Sequence, residues 1–249
     1  MNETGTGTGT EGRFERPEDF YAVYDGYRDY VRPDLAAKHI RLFDANIWWP
    51  GRFRPDMAVL EFGCGTGIFL AYLLHKGVGH FIGVDQDANL RRHMPDEIAE
   101  HFAERDIWSF LDSSHGGERF DRIVMLDVLE HFSVYQAVDL LRRLKSVLTP
   151  EGQVIVRVPN PSSPWGLRYQ HHDLTHKAAY SPGGLHQIAL AAGYGGATCR
   201  PHRRRFGLRQ GMENAAQGLL AWVIVETPEI WTANMMGFIS LGTNSGREG

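Results

Sequence analysis

The 249-residue sequence predicts an α/β fold: a doubly wound sheet of seven strands, mostly parallel with the last strand antiparallel, carrying an N-terminal helical segment and an insertion on the substrate side. Three observations carry this expectation. Short apolar runs recur along the chain, and acids close them at Glu61, Asp85, Asp106 and Asp127. Segments of helical period separate the runs, the alternation of a parallel sheet with crossover helices. Between the first run and its helix lie Gly63, Gly65 and Gly67. Glycines so spaced let a backbone turn sharply and let a ligand approach it closely.

Composition bounds the answer. Hydrophobic residues make up 43% and charged residues 22%, ordinary for a globular protein with a sizeable core. A formal net charge of −4 offers no bulk attraction to nucleic acid or anionic lipid. Two cysteines, Cys64 and Cys199, cannot make a disulfide framework and point to a reducing compartment. No charged-then-apolar signal pattern opens the chain. Its longest apolar run, Leu219 to Val225, is far short of the ~20 residues that span a bilayer. The expectation is a soluble cytoplasmic protein with no integral membrane segment.

In chain order, residues 1–12 with their Gly-Thr repeat predict a disordered tail, and residues 13–55 an N-terminal helical lid or cap on a main domain of residues 56–249. Phe20, Tyr21, Tyr24, Tyr27 and Tyr30 recur at helical spacing, an aromatic face to pack on the main domain or to cover the substrate mouth, where Tyr24 would touch substrate. Val59 to Phe62 is the first strand and Phe69 to Lys76 the helix after the glycines. His80 to Asp85 is the second strand, followed by a helix from Ala88 to His101 that Pro95 breaks or restarts. Ala103 to Ile107 reads as a weaker strand and Phe120 to Asp127 as a clear one. Val134, Ala137, Val138, Leu141, Leu144 and Leu148 trace one face of a helix, and Gln153 to Val158 is a fifth strand. Pro159 to Tyr180, with a His-rich patch, is the insertion. A helix from Pro182 to Ala192, an edge strand from Ala197 to His202, an ordinary buried helix from Glu213 to Val225 and a last strand from Trp231 to Leu241 complete the chain.

Ligands of open α/β sheets bind beyond the carboxyl ends of the strands. Four acids there would repel a dinucleotide pyrophosphate, but they suit a ligand bearing an ammonium, a sulfonium and ribose hydroxyls. The combination resembles the class I S-adenosylmethionine-dependent methyltransferases, a Rossmann-like family, over about residues 40 to 240. The resemblance implies that Glu61, Gly63, Cys64, Gly65 and Gly67 lie against the methionine part of the cofactor. It puts Asp85 on the ribose hydroxyls with Gln86 beside the adenine, Asp106 and Ile107 at the adenine edge, and Leu126 and Asp127 under the methionine. The stretch from Asp127 to Phe132 resembles the Leu-Glu-His stretch common in small-molecule methyltransferases, and the His172-Asp173-Leu174-Thr175-His176 run followed by Tyr180-Ser181-Pro182 is similar to a pattern in methyltransferases of bacterial glycan and O-antigen clusters. Those proteins usually have Phe-Thr-Pro at the last of these, which leaves the acceptor open.

An alcohol acceptor must shed a proton as it attacks, and histidine is the natural base near neutrality. His131 and His176 are the candidates. A helix starting at Asp127 would bring Glu130 and His131 onto one face with it, and Asp173 would orient His176. Glu130 and His172 are expected at the substrate. His171, His172, Asp173 and His176 offer metal-ligand types, but neighbours in sequence rarely point at one ion, so no metal is expected. Arg203, Arg204 and Arg205, with Arg200 and Arg209, read as a solvated strand end or a grip on an anionic sugar. The expected activity is O-methylation of a sugar or other small hydroxylated molecule in glycan or natural-product biosynthesis. N- or C-methylation of a natural product and a non-catalytic cofactor-binding module are the alternatives. The fourth strand is not followed by an Asn/Asp-Pro-Pro-Tyr run and there is no basic stripe, so nucleic acid is not an expected partner, while a homodimer is left open.

Overall fold

The computed structural model describes residues 15–23, 31–113, 117–204 and 207–242; the expected tail, Tyr24, Tyr27, Tyr30 and Arg205 lie outside the described residues. Seven strands form one sheet: β1 (Ala58–Phe62), β2 (His80–Asp85), β3 (Phe102–Glu104), β4 (Phe120–Leu126), β5 (Leu148–Pro159), β6 (Ala197–Pro201) and β7 (Asn234–Ser240), in the order 3-2-1-4-5-7-6. The pairings among β1 to β5 are parallel, and β7 runs antiparallel to both β5 and β6. The predicted fold class is therefore the observed one, with its last strand reversed.

Successive side chains of a strand point to opposite faces, and a parallel sheet covered on both sides needs apolar residues at nearly every position. That is why β1 reads Val-Leu-Glu-Phe. Leu60, Phe62, Ile123, Met125, Val154 and Val156 face one core, and Val59, Val124 and Ile155 face the other. The helices covering the sheet are α1 (Ala37–Phe43, continuing as a wide turn through Trp48), α2 (Ile68–His75), α3 (Asp96–Ala99), α4 (Ile107–Asp112), α5 (Val134–Leu144), α6 (Gly166–Gln170), α7 (Pro182–Ala191) and α8 (Leu208–Val223). The N-terminus of α5 is fixed reciprocally: Gln136 N donates to Ser133 Oγ while Ser133 N donates to Gln136 Oε1. Its inward residues Ala137, Leu140, Leu141 and Leu144 join the first core.

Several expectations need correction. The third strand ends at Glu104, and Asp106 instead caps α4 by accepting from Trp108 N and Ser109 N, because an aspartate immediately before a helix satisfies its orphan donors. Leu148 belongs to β5, since α5 stops at Leu144. No α-helix starts at Asp127: the backbone there is left-handed at φ 58, and a single 3-10 turn, Leu129–His131, follows. The described part of the aromatic N-terminal segment is also a 3-10 turn, Pro17–Val23. The last helix starts earlier than expected and is not buried. None of its side chains enters either core, and Trp222 is 83% exposed, because the sheet faces are already covered when the chain reaches it. Among the described residues no helix is long and apolar enough to cross a membrane.

One polar residue holds the carboxyl end of β5 in place. Asn160 is wholly buried and donates through Nδ2 to the carbonyls of Ile230 (2.8 Å) and Thr232 (3.3 Å), while its Oδ1 accepts from Ser162 N. Asn160→Ala leaves those groups without a partner, so urea unfolding should show a loss of about 1–3 kcal/mol.

Candidate active site

The strand order reverses between β1 and β4, and the crevice beyond their carboxyl ends is where a ligand enters such a sheet. Register places Glu61 of β1 opposite Gly83 of β2 and Val124 of β4. The glycine loop follows at once. Gly63 (φ +69) and Gly67 (φ +84) are needed for shape as well as conformation, since a Cβ would lie 2.4 Å from Val128 Cγ2 at the first and 2.7 Å from Ile98 Cδ1 at the second. Gly65 (φ +53) differs, for a Cβ there meets nothing within 4 Å. Its N–H donates to Asp85 Oδ2 at 3.0 Å and Asp87 N donates to Oδ1 at 3.2 Å, so the loop and the end of β2 are tied through one carboxylate.

The charges around this crevice are unusually desolvated. Glu61 is 3% exposed and its Oε2 has no hydrogen-bond partner. Burial, and then the Asp85 carboxylate, push its carboxyl well above the usual range, against the pull of Arg157. Burial also raises Asp85, with the N–H groups of Gly65 and Asp87 opposing. Cys64 is buried and its thiol is raised by burial first, then by Glu61, which leaves it inert as a nucleophile. Gln86 is exposed beside Asp85, and Ile107 is half-buried on the core. The Asp106 carboxylate is engaged by its own helix, with Ser109 Oγ donating as well. Asp127 is gripped by Arg157, whose Nε and Nη2 donate to its two oxygens at 2.8 and 2.5 Å. Sequence reasoning missed Arg157. The signal was present, a charged residue inside an otherwise apolar parallel strand, where it has to be paired.

The expected acceptor residues come from two separate stretches, and the structure brings three of them together. His131, on the 3-10 turn after β4, meets Asp173 and His176 from the insertion, with one nitrogen or oxygen of each lying within 4.8 Å of the others. Thr175 Oγ1 joins them, 2.9 Å from His131 Nδ1 and donating to Asp173 Oδ1 at 2.5 Å. Tyr21 Oη of the N-terminal turn reaches His131 Nδ1 at 3.1 Å, and Lys177 pairs with Glu18 of the same turn. Burial raises the Tyr21 phenol, a hydrogen bond with Thr175 opposes this, and the charges of Asp173, Asp85 and Glu130 raise it further. Glu130 is fully buried beneath the turn, while His171 and His172 are exposed outside the cluster. Two hollows lie elsewhere. One of about 640 Å³ is walled by Pro161, Leu167, Pro182 and Glu229, and one of about 550 Å³ by Gly51, Arg122 and Gln153 at the amino ends of the strands.

Residues 27–196 match the family model described as a methyltransferase domain. The chain belongs to that family. It is a class I S-adenosylmethionine-dependent methyltransferase with the seven-stranded sheet of that class. Among solved structures it is similar to a SAM-dependent methyltransferase from Archaeoglobus fulgidus, at 17% identity and a TM-score of 0.61 over 89% of this chain and 99% of that one. It is also similar to the CcbJ methyltransferase from Streptomyces caelestis (16%, TM-score 0.53, 90% and 96%) and to the plantazolicin methyltransferase BpumL in complex with SAH (16%, 0.53, 90% and 90%). At these identities the likeness concerns the fold. No curated protein matches the chain in sequence.

The residues present in this methyltransferase fit the cofactor. Glu61 has an orphaned, buried oxygen that a cationic ammonium would satisfy, and the open space over Gly65 admits a close approach to the backbone. Two outcomes follow. Gly65→Ala should cost only about 1 kcal/mol in stability, for its left-handed backbone, yet lower S-adenosylhomocysteine affinity at least about ten-fold in calorimetry, a 1.4 kcal/mol effect. A carboxyl whose folded pKa lies above its unfolded value stabilises the fold below the unfolded value and loses that contribution as pH rises through the folded one. The thermal midpoint of the cofactor-free methyltransferase should therefore fall as pH is raised above 4.5, the ordinary glutamate value, and Glu61→Gln should flatten that dependence.

Proposed function

We propose that this methyltransferase O-methylates a sugar or another small hydroxylated acceptor, with the histidine cluster on the acceptor side. The observation that supports the reading is the convergence of His131, Asp173, Thr175 and His176 beside the acids of the switch point. When bound, S-adenosylmethionine supplies a methyl group on a sulfonium, an electrophile that already carries its leaving group. Glu61 and the 63–67 loop would hold its amino-acid part, with Leu126 and Asp127 beneath. Asp85 would take the ribose hydroxyls, and Gln86, Asp106 and Ile107 would border the adenine.

The protein's main task is then to hold the acceptor hydroxyl in line, and orientation of this kind contributes ~7–11 kcal/mol. An imidazole takes the hydroxyl proton. His176 Nδ1 faces the Gln170 carbonyl at 2.9 Å and so carries its own proton, leaving Nε2 to accept. The Asp173–Thr175 pair orients His131 in the same sense. The N-terminal turn, docked through Tyr21 and Glu18, serves as the lid of the 13–55 segment. It would shield the acceptor from water, and Tyr24, which lies outside the described residues, and His172 are proposed as acceptor contacts. Glycan or natural-product biosynthesis is the setting that such an acceptor implies.

Asp85→Ala should abolish S-adenosylhomocysteine binding in calorimetry, and unchanged affinity would remove this cofactor placement. His176→Gln should lower kcat by about 10²–10⁴-fold while cofactor affinity stays within about two-fold, the difference expected for a proton-transfer group. Equal loss of both would make it structural. A mass gain of one methyl across a panel of nucleotide sugars tests the acceptor class.

A further inference from the structure

We propose that His131, Asp173 and His176 bind one divalent first-row transition-metal ion, and that this ion holds the acceptor's hydroxyl oxygen. The inference rests on the acceptor reading above and keeps its hydroxyl acceptor, but assigns the histidines as ligands in place of the imidazole base. Two neutral imidazoles and a carboxylate are a facial ligand set for ions from manganese to zinc, with positions left open for a substrate. Magnesium and calcium would prefer oxygen alone.

The hydrogen bonds behind the three residues prepare them as ligands. The Gln170 carbonyl only accepts, so His176 donates through Nδ1 and presents a lone pair at Nε2. Thr175 Oγ1 gives its proton to Asp173, so toward Thr175 the His131 Nδ1 is the donor and Nε2 again keeps a lone pair. This is the outer-sphere arrangement that fixes the tautomer of metal-binding histidines. The rings stand edge to face with centroids 4.7 Å apart. Asp173 is 6% exposed and is held by Thr175 N at 3.0 Å. Bonds of ~2.1 Å place neighbouring donors roughly 3.0–3.4 Å apart, so donors now within 4.8 Å of one another close by up to about 1.4–1.8 Å through side-chain rotation.

A second observation calls for positive charge at the same place. Glu130, adjacent to His131, is 0% exposed and neither of its carboxylate oxygens has a hydrogen-bond partner. Arg157 is the nearby cation, and its fork is committed to Asp127. Two buried carboxyl oxygens without a hydrogen-bond partner beside His131 mark a place that a cation would complement.

With the ion in place the imidazoles are ligands and not bases. The ion polarises the bound hydroxyl, as it does a bound water, and the proton leaves to solvent. One neutral imidazole from each stretch is then needed for binding, which separates this site from a simple histidine base.

The test uses the full-length protein, stripped with chelator and titrated with Mn²⁺ and with Zn²⁺ by calorimetry, with Mn²⁺ followed also by electron paramagnetic resonance. One ion per chain should bind the wild type. His131→Gln and His176→Gln, which lie in different segments, should each weaken it at least about ten-fold while S-adenosylhomocysteine affinity stays within about two-fold. No binding to the wild type, or undiminished binding to both variants, overturns the proposal. Failure of the wild type to bind S-adenosylhomocysteine is a separate result and counts against the site reading instead.

Discussion

A gathering of acids at the carboxyl edge of the sheet, with Glu61 and Glu130 buried, Asp85 half-buried and Asp127 partly exposed, is the constraint on which this structure turns. Glu61, Asp85, Asp127 and Glu130 all lie at or just beyond the ends of β1, β2 and β4, where the fold opens. Taking a carboxylate out of water is expensive, and each of these groups meets the cost differently. Asp85 accepts two backbone N–H groups, and Asp127 is gripped by Arg157. Glu61 and Glu130 have no such arrangement, and burial drives both toward their protonated forms. A site left in this state is arranged for cationic ligands, and a methyl donor bearing an ammonium and a sulfonium is one.

The same constraint links the two halves of the active site. Arg157 sits at the end of β5 and reaches across to the turn after β4, so the strand that carries the cation also fixes Asp127 in its left-handed conformation. The next residues then turn Glu130 inward and leave His131 facing the insertion. Backbone N–H groups of Lys177 and Ala178 donate to the Glu130 carbonyl, which holds the insertion against that turn. The acids at the strand ends and the His131–Asp173–His176 cluster are thus parts of one packed unit.

How much of this was legible differs by element. Strands buried on both faces write themselves into the sequence as apolar runs, and the glycine loop writes itself as a spacing that bulkier residues cannot adopt beside Val128 and Ile98. Asp106 misled, because an acid beyond a strand and an acid capping a helix look alike until the next turn folds. The 219–225 run misled for another reason: hydrophobicity says that a helix prefers burial, but not whether any sheet face remains to receive it.

The sequence by itself determined the fold class and the place of the glycine turn, since these rest on periodicity and on local steric rules, while the methyltransferase reading came from the resemblance of its ordered motifs to that family. Tertiary structure alone decided that His131 meets His176 and Asp173, and that His171 and His172 do not. It also decided that Arg157 is the partner of Asp127. These are contacts between residues 30 or more positions apart, and their geometry is set by strand order and loop path, which no local pattern records.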